Sequence, residues 1–326
     1  MPRSEELRVR SGEIHLAGVL TLPDAPPPDQ RRGRYPNVLL LPSWLPRDRG
    51  GHYDRTGHPT WFGPAAAAPG LLERLADALA ERGVATLRCD ARGCGASDGV
   101  WEAADLFTRI DDARDQLAAM RGHGALDLRR TGIVGHGEGA TLAIAVAIAD
   151  PVVSAMTLVG ASARSWRDTL RRAAATRGRT GNDREHPLVA ALDLWSEDLL
   201  ERAERREASF DLRLRGGERV TMNLAAIEQA IHTPPLALVT MLHRSVTLAH
   251  GMADSWADPA ESALMAEGLR AAAPADAPPR LISVPDAGHD LAEASDTVIE
   301  ELADDLAARL LPRELPPVLV AIEAMG

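Results

Sequence analysis

Ile133-Val134-Gly135-His136-Gly137-Glu138-Gly139-Ala140 reads as the end of a strand, a tight turn and the start of a helix. Ile133 and Val134 are β-branched and apolar, as a buried strand requires. Residues 138–149 are almost all small or apolar, so the helix that they form is covered on every side. Glycine at 135 and 139 lets such a helix cross close to its strand, and glycine at 137 suits a residue of positive φ between the two. A buried helix directly after a buried strand is the βα step of a parallel sheet.

Outward from this turn the same step repeats. Residues 38–41, Val-Leu-Leu-Leu, are a wholly apolar run of the kind found in strands covered on both faces. Residues 84–89, 131–134 and 153–159 read alike. Residues 71–82 have helical periodicity, and Gly83 fits the position just past a helix end. Residues 110–121 predict a second helix and 138–149 a third. The rhythm resumes over 245–250, 259–272, 281–284 and 295–311. The expected fold class is therefore α/β, a mostly parallel central sheet with helices on both faces. Residues 7–22 alternate and carry Gly12 and Gly18, which predicts a hairpin. A Pro-rich loop follows over 23–28, and a long polar loop over 42–69.

Residues 163–235 break the rhythm. They hold a charged helical stretch, 188–206, and a hairpin, 210–215 with 218–222, joined at Gly216-Gly217. We expect a cap inserted after the sixth strand. It divides the chain into an N-terminal part of the core over 1–162, the cap over 163–235 and a C-terminal part of the core over 236–326. The partly apolar tail, 316–325, is expected to pack on the body or on a partner subunit, so a homodimer is one expectation.

Composition narrows the function classes. The 326 residues suffice for one large α/β domain with an inserted subdomain. Aromatic residues are only 3%, so Ala, Leu and Val must build the core. A net charge of −11, with no long basic run, argues against nucleic acid as a partner. Cys89 and Cys94 make no disulfide framework, and no Cys or His pair has zinc-ligand spacing with partners; no metal or other cofactor is expected. There is no apolar leader and no run of about 18 apolar residues, so neither membrane insertion nor export is expected and the cytoplasm is the expected location.

Three more stretches carry chemistry. They are Leu87-Arg88-Cys89-Asp90-Ala91-Arg92-Gly93-Cys94-Gly95-Ala96-Ser97, Leu248-Ala249-His250-Gly251-Met252-Ala253-Asp254 and Pro285-Asp286-Ala287-Gly288-His289-Asp290. In this order, with the turn at 137, they resemble the α/β-hydrolases, especially the esterase and serine-aminopeptidase-like branch. The resemblance runs over about residues 14–310 outside the cap. It implies an α/β-hydrolase fold whose nucleophile elbow, small-x-X-x-small, lies at 135–139. The family puts serine at X; here X is Gly137, which is conformationally easy and chemically inert. The resemblance further implies Asp254 as the acid and His289 as the base, in the family's chain order. Asp258 and Asp290 are the fallback acids. It implies an oxyanion hole from the backbone N–H groups of Glu138 and Trp44. Ser43 and His136 belong to the same binding region, although Pro42-Ser43 stands where the family has His-Gly.

Alternatives stay open at this point. Gly-x-Gly-x-Gly faintly resembles a dinucleotide loop, but its third glycine is misplaced and its strand comes late in the chain. Cys94, Ser43 and Glu138 are the side chains that would have to replace a nucleophile. Each has a plainer role: a small buried filler, a turn residue, a partner for the helix dipole. Residues 51–62 gather Tyr53, Trp61 and Phe62 with His52 and His58, which predicts either a pocket wall or a loop pinned by its rings. The expected function is an enzyme that acts on a small molecule without a serine nucleophile. A His289–Asp254 dyad and an oxyanion hole would run non-covalent acid–base chemistry: cyclisation, a lyase-type step or direct attack by water. The room left by a missing hydroxymethyl at 137 is expected to admit water or a substrate group. The resemblance to a hydrolase that lacks its serine, together with a composition typical of a high-GC genome, implies a step in specialised metabolism as the expected setting. The alternatives are a binding protein that kept the pocket and a serine esterase carrying an engineered glycine.

Overall fold

Gly12, at φ 57°, turns β1 (Arg3–Ser11) back on β2 (Ile14–Leu22) in the computed structural model, which describes residues 2–24, 34–63, 69–180, 186–272 and 278–311. β3 (Tyr35–Leu41), helix α1 (Leu71–Glu81) and β4 (Ala85–Cys89) follow. Helix α2 spans Leu106–Gly122, a turn earlier than its apolar periodicity predicts, because the Asp105 side chain caps it by accepting from the Thr108 N–H. β5 (Leu126–His136) leads through Gly137 into α3 (Glu138–Ala149), and β6 (Val153–Val159) follows.

The segment that breaks the rhythm begins with α4 (Trp166–Thr180). The expected single charged helix is two, α5 (Pro187–Leu194) and α6 (Ser196–Glu204), which part at Trp195. β7 (Ser209–Arg213) and β8 (Arg219–Asn223) form the hairpin, turning at Gly217 with φ 85°. Then comes α7 (Leu224–His232), followed by the short α8 (Pro235–Val239). The segment leaves and rejoins the core at one point: the Ala163 carbonyl accepts from the Leu236 N–H at 2.9 Å. Buried Glu261 accepts there from the N–H groups of Ala163 (2.6 Å) and Arg164 (2.9 Å).

β9 (Ser245–Gly251), α9 (Ala260–Ala272), β10 (Arg280–Val284) and α10 (Asp296–Leu310) complete the core. The eight strands order as β1-β2-β4-β3-β5-β6-β9-β10, and every pairing from β4 onward is parallel. Alternation along β3 builds two cores: Leu39 and Leu41 face the cluster with α2 and α3, while Val38 and Leu40 face the one with α1 and α10. Each such buried Leu contributes roughly 1.5–3 kcal/mol. A third cluster joins the inserted segment to Trp44, Trp61 and Trp101. Among the described residues no helix is long and apolar enough to cross a membrane. The tail at 316–325 and most of the Pro-rich loop at 23–28 lie outside the described residues.

Candidate active site

The turn between β5 and α3 depends on glycine twice. A Cβ on Gly135 would strike the Gly139 carbonyl and the start of α3, so only glycine lets helix and strand cross here. Gly137 has φ 55° and ψ −118°, a conformation costly for any other residue. A Cβ built on it would collide with Ser43 Oγ and lie 2.8 Å from His289 Nε2. The expected room beside residue 137 is thus absent. The side chain of Ser43, from the loop after β3, fills it.

His289 stands in the loop after β10. Its Nδ1 is 2.9 Å from Asp254 Oδ2 and its Nε2 is 3.4 Å from Ser43 Oγ. The buried, ionised Asp254 only accepts, so Nδ1 carries the proton and Nε2 offers its lone pair toward Ser43. Burial pushes the Asp254 carboxyl up, but the His289 charge and hydrogen bonds from His250 and His289 outweigh it. The carboxyl is held well below the usual carboxylate range. For His289, burial lowers the pKa, whereas the charge and hydrogen bond of Asp254 raise it by more; the net shift is upward.

The other Asp254 oxygen, Oδ1, accepts from the N–H groups of Trp256 (2.7 Å) and Ala257 (3.0 Å). His250, in β9, adds a second imidazole. Its Nε2 donates to Asp254 Oδ2 at 3.1 Å and its Nδ1 accepts from Ser262 Oγ at 2.7 Å. Sequence reasoning gave His250 no role, although a histidine four residues before the acid at a strand end was a usable signal. The fallback acids are engaged elsewhere. Asp258 pairs with Arg172 of α4, and Asp290 takes a two-pronged contact from Arg47, 2.9 Å on each arm.

Arg47 also escaped the sequence reading. Its buried guanidinium donates to the Gly51 carbonyl and lies 3.8 Å over the Tyr53 ring, tying the loop after β3 to the His289 loop. Burial raises the Asp290 carboxyl, but the charge and hydrogen bonds of Arg47 lead in bringing it down to about 2. His136 does not reach the pocket. It is 1% exposed and its Nε2 donates to the His289 carbonyl at 3.0 Å, supporting the base from behind. Burial and the His289 charge push it down to about 3, so it stays neutral.

Ser43, Gly137, Glu138 and His289 line one cavity of about 40 Å³, walled by Trp44, Trp256 and, from the inserted segment, Trp166 and Thr169. Trp44 and Trp166 meet edge-on with ring centroids 4.2 Å apart. A second cavity of about 50 Å³ lies across Ser43, Trp44 and Glu138, with Arg109 and Trp101 on its far side. Burial raises the Glu138 carboxyl against the pull of Arg109, 3.2 Å away. A larger groove of about 560 Å³ beside α2 contains none of these residues. The aromatic loop is not the pocket wall: Tyr53 and Phe62 stack at 4.4 Å, and Trp61 stacks on His58 at 4.1 Å, in the cluster beneath the cap. Cys94 sits there too. Burial, then Asp54, holds its thiol far above the ordinary range, so it is no nucleophile.

Among the described residues, two groups bring metal-ligating atoms within 4.8 Å of one another: His136 with His289 and Asp290, and Asp54 with His58 and Cys94. In the first, Arg47 already holds the carboxylate and His289 Nδ1 is bonded to Asp254.

Comparison with known proteins follows the same lines. Solved structures of like fold include Est1E from Butyrivibrio proteoclasticus with bound ferulic acid, 13% identical, TM-score 0.62, covering 93% of this chain and 98% of that one. DcsB in complex with its substrate analogue is 14% identical, TM-score 0.63, over 96% and 100% of the two chains. The α/β hydrolase GrgF from Penicillium sp. sh18 is 17% identical, TM-score 0.60, over 94% and 98%. At such identities the likeness concerns the fold alone. No curated protein matches the sequence. The model of the alpha/beta hydrolase family matches residues 38–305, from β3 through most of α10, and to that family the chain belongs.

Proposed function

We propose that this chain is an enzyme that acts on a small carbonyl compound, with His289 as general base and acid, Asp254 as its orienting carboxylate, and no hydroxyl on residue 137. Gly137 stands where the family carries its serine, so no acyl-enzyme forms at the elbow. One observation carries the reading. His289 is bonded through Nδ1 to a buried carboxylate, while its Nε2 faces a roofed cavity beside the N-terminus of a helix. That is the arrangement of a base that must keep one tautomer and one orientation. The backbone N–H groups of Glu138 and Trp44 are the proposed oxyanion donors, since both residues line the cavity. Such a site can assist ester hydrolysis, cyclisation of a bound carbonyl compound or an elimination, each through proton transfers at Nε2.

Small esters and lactones of aromatic and aliphatic acids are the first compounds to try, given the ferulic acid bound by Est1E. His289→Ala is expected to lower turnover of whichever probe is accepted by about 10²- to 10⁴-fold, the usual share of a general base. Undiminished turnover in His289→Ala would overturn the role of His289 as general base.

A further inference from the structure

We infer that the nucleophile of this site is Ser43, so that the hydroxyl which the family carries on the elbow has moved to the neighbouring strand's loop. The inference rests on the His289–Asp254 reading and narrows its chemistry to acyl transfer.

Two independent features point to Ser43. Its Oγ is 3.4 Å from His289 Nε2, the one lone pair of the dyad not already engaged. And its side chain occupies the volume that a Cβ on residue 137 would need, so it is Gly137 that lets Ser43 sit before the base. A serine at one position excludes an undisturbed serine at the other. β3 and β5 are paired neighbours, with Leu41 in register with Gly135, so the ends of both strands reach the same cavity. The expected oxyanion donors need not change. Trp44 follows Ser43 and Glu138 follows Gly137, and both line the cavity, so each strand end offers one candidate backbone N–H. The Glu138 N–H, at the first turn of α3, has no acceptor within the helix.

The step balances with water alone. Ser43 Oγ gives its proton to His289 Nε2 and bonds the carbonyl carbon of a small carboxylic ester. The tetrahedral oxyanion collapses, the carbon–alkoxide bond breaks, and His289 returns the proton to the leaving alcohol. Water then repeats the sequence on the Ser43 ester, releasing the acid and restoring the hydroxyl. The narrow, tryptophan-walled cavity suits a short acyl chain.

The test uses the full chain with two reagents, a small alkyl fluorophosphonate and p-nitrophenyl acetate, read by intact mass, peptide mapping and rapid mixing. Expected are one phosphonyl group per chain, mapped to Ser43, and a burst of one equivalent of nitrophenol. Both should vanish in Ser43→Ala, with far-ultraviolet circular dichroism and melting near wild type, and in His289→Ala, with circular dichroism still that of a folded chain. Ser43→Cys is a second variant that keeps the atom's place; it should retain a burst and form a longer-lived acyl-enzyme. Absence of label and burst in the wild type, with turnover that still depends on His289, would overturn the role of Ser43 and leave the dyad reading standing. Label on any other residue would overturn it too. Turnover indifferent to His289 would sink both.

Discussion

The two sides of the site are built on different terms. On the side of β9 and β10, side chains carry the design: Asp254 accepts four hydrogen bonds from His289, His250, Trp256 and Ala257. On the side of β3 and β5, backbone carries it: a turn that needs glycine at 135 and 137, and the start of α3 directly after it. If Ser43 is the nucleophile, as we infer, the hydroxyl could change strands on the second side because nothing but proximity to His289 defines it. The acid–base pair on the first side has no such freedom, since moving either partner leaves a charge buried without its counterpart.

Substitutions can break this comparison, and the largest effect belongs to the side-chain half. Asp254→Asn leaves His289 without its anion and invites the wrong tautomer. Loss of kcat of about 10⁴-fold is expected, as for a triad acid made neutral. A loss under tenfold, measured with the substrate that the wild type turns over, would show that orientation by Trp256 and Ala257 was enough. Next comes Gly137→Ser. Read from the sequence alone, it restores an elbow nucleophile and should gain esterase activity. Read from the structure, it pushes Ser43 away from the base and adds about 1–3 kcal/mol of backbone strain. We expect phosphonate labelling at Ser43 to fall at least tenfold and the melting temperature to drop. Brisk labelling of residue 137 instead would show the elbow position to be the better one.

A subtler effect sharpens the comparison through pH. Asp254 raises the His289 pKa, so the neutral base appears only as pH climbs above the ordinary imidazole value of about 6.5. kcat/KM should rise with pH through an inflection above that value, and in residual Asp254→Asn activity the inflection should move down. Stability runs the other way. A raised folded pKa stabilises fully below the unfolded value and is lost as pH rises through the folded one, so melting temperature should fall across that window. The smallest effect is expected from His250→Gln, which can still donate one hydrogen bond to Asp254. A several-fold loss of kcat with KM unchanged, and a further rise of the inflection as the more flexible amide holds Asp254 less firmly, would mark His250 as a positioning residue. An unchanged profile would reduce it to packing.

Much of the sheet was legible because buried parallel strands announce themselves locally: Val38 to Leu41, Val153 to Val159 and the apolar run of α3 need no partners to be read. The pairing of His289 with Asp254 was implied only by the resemblance of their two stretches, in that order, to the α/β-hydrolases. What stayed hidden depends on distant contacts. The break at Trp195 comes in a run that is helical on either side. α7 and α8 are short and draw their stability from the clusters that they join. Ser43 looked like a turn residue, because its meeting with Gly137 and His289 spans 94 and 246 residues of chain.

The shared foothold of the inserted segment has a consequence for how such a molecule changes over generations. Because the chain departs at Ala163 and returns at Leu236, one hydrogen bond apart, the sheet is indifferent to how long the excursion between them is. Lengthening a closed loop adds only about 0.6 kcal/mol per doubling. Trp166 and Thr169, which roof the cavity, ride on that excursion, whereas Asp254 and His289 do not. On the proposed function, selectivity and reactivity would thus sit on separately replaceable parts: a new roof could be spliced in at two adjacent residues without redesign of the proton-handling floor beneath it.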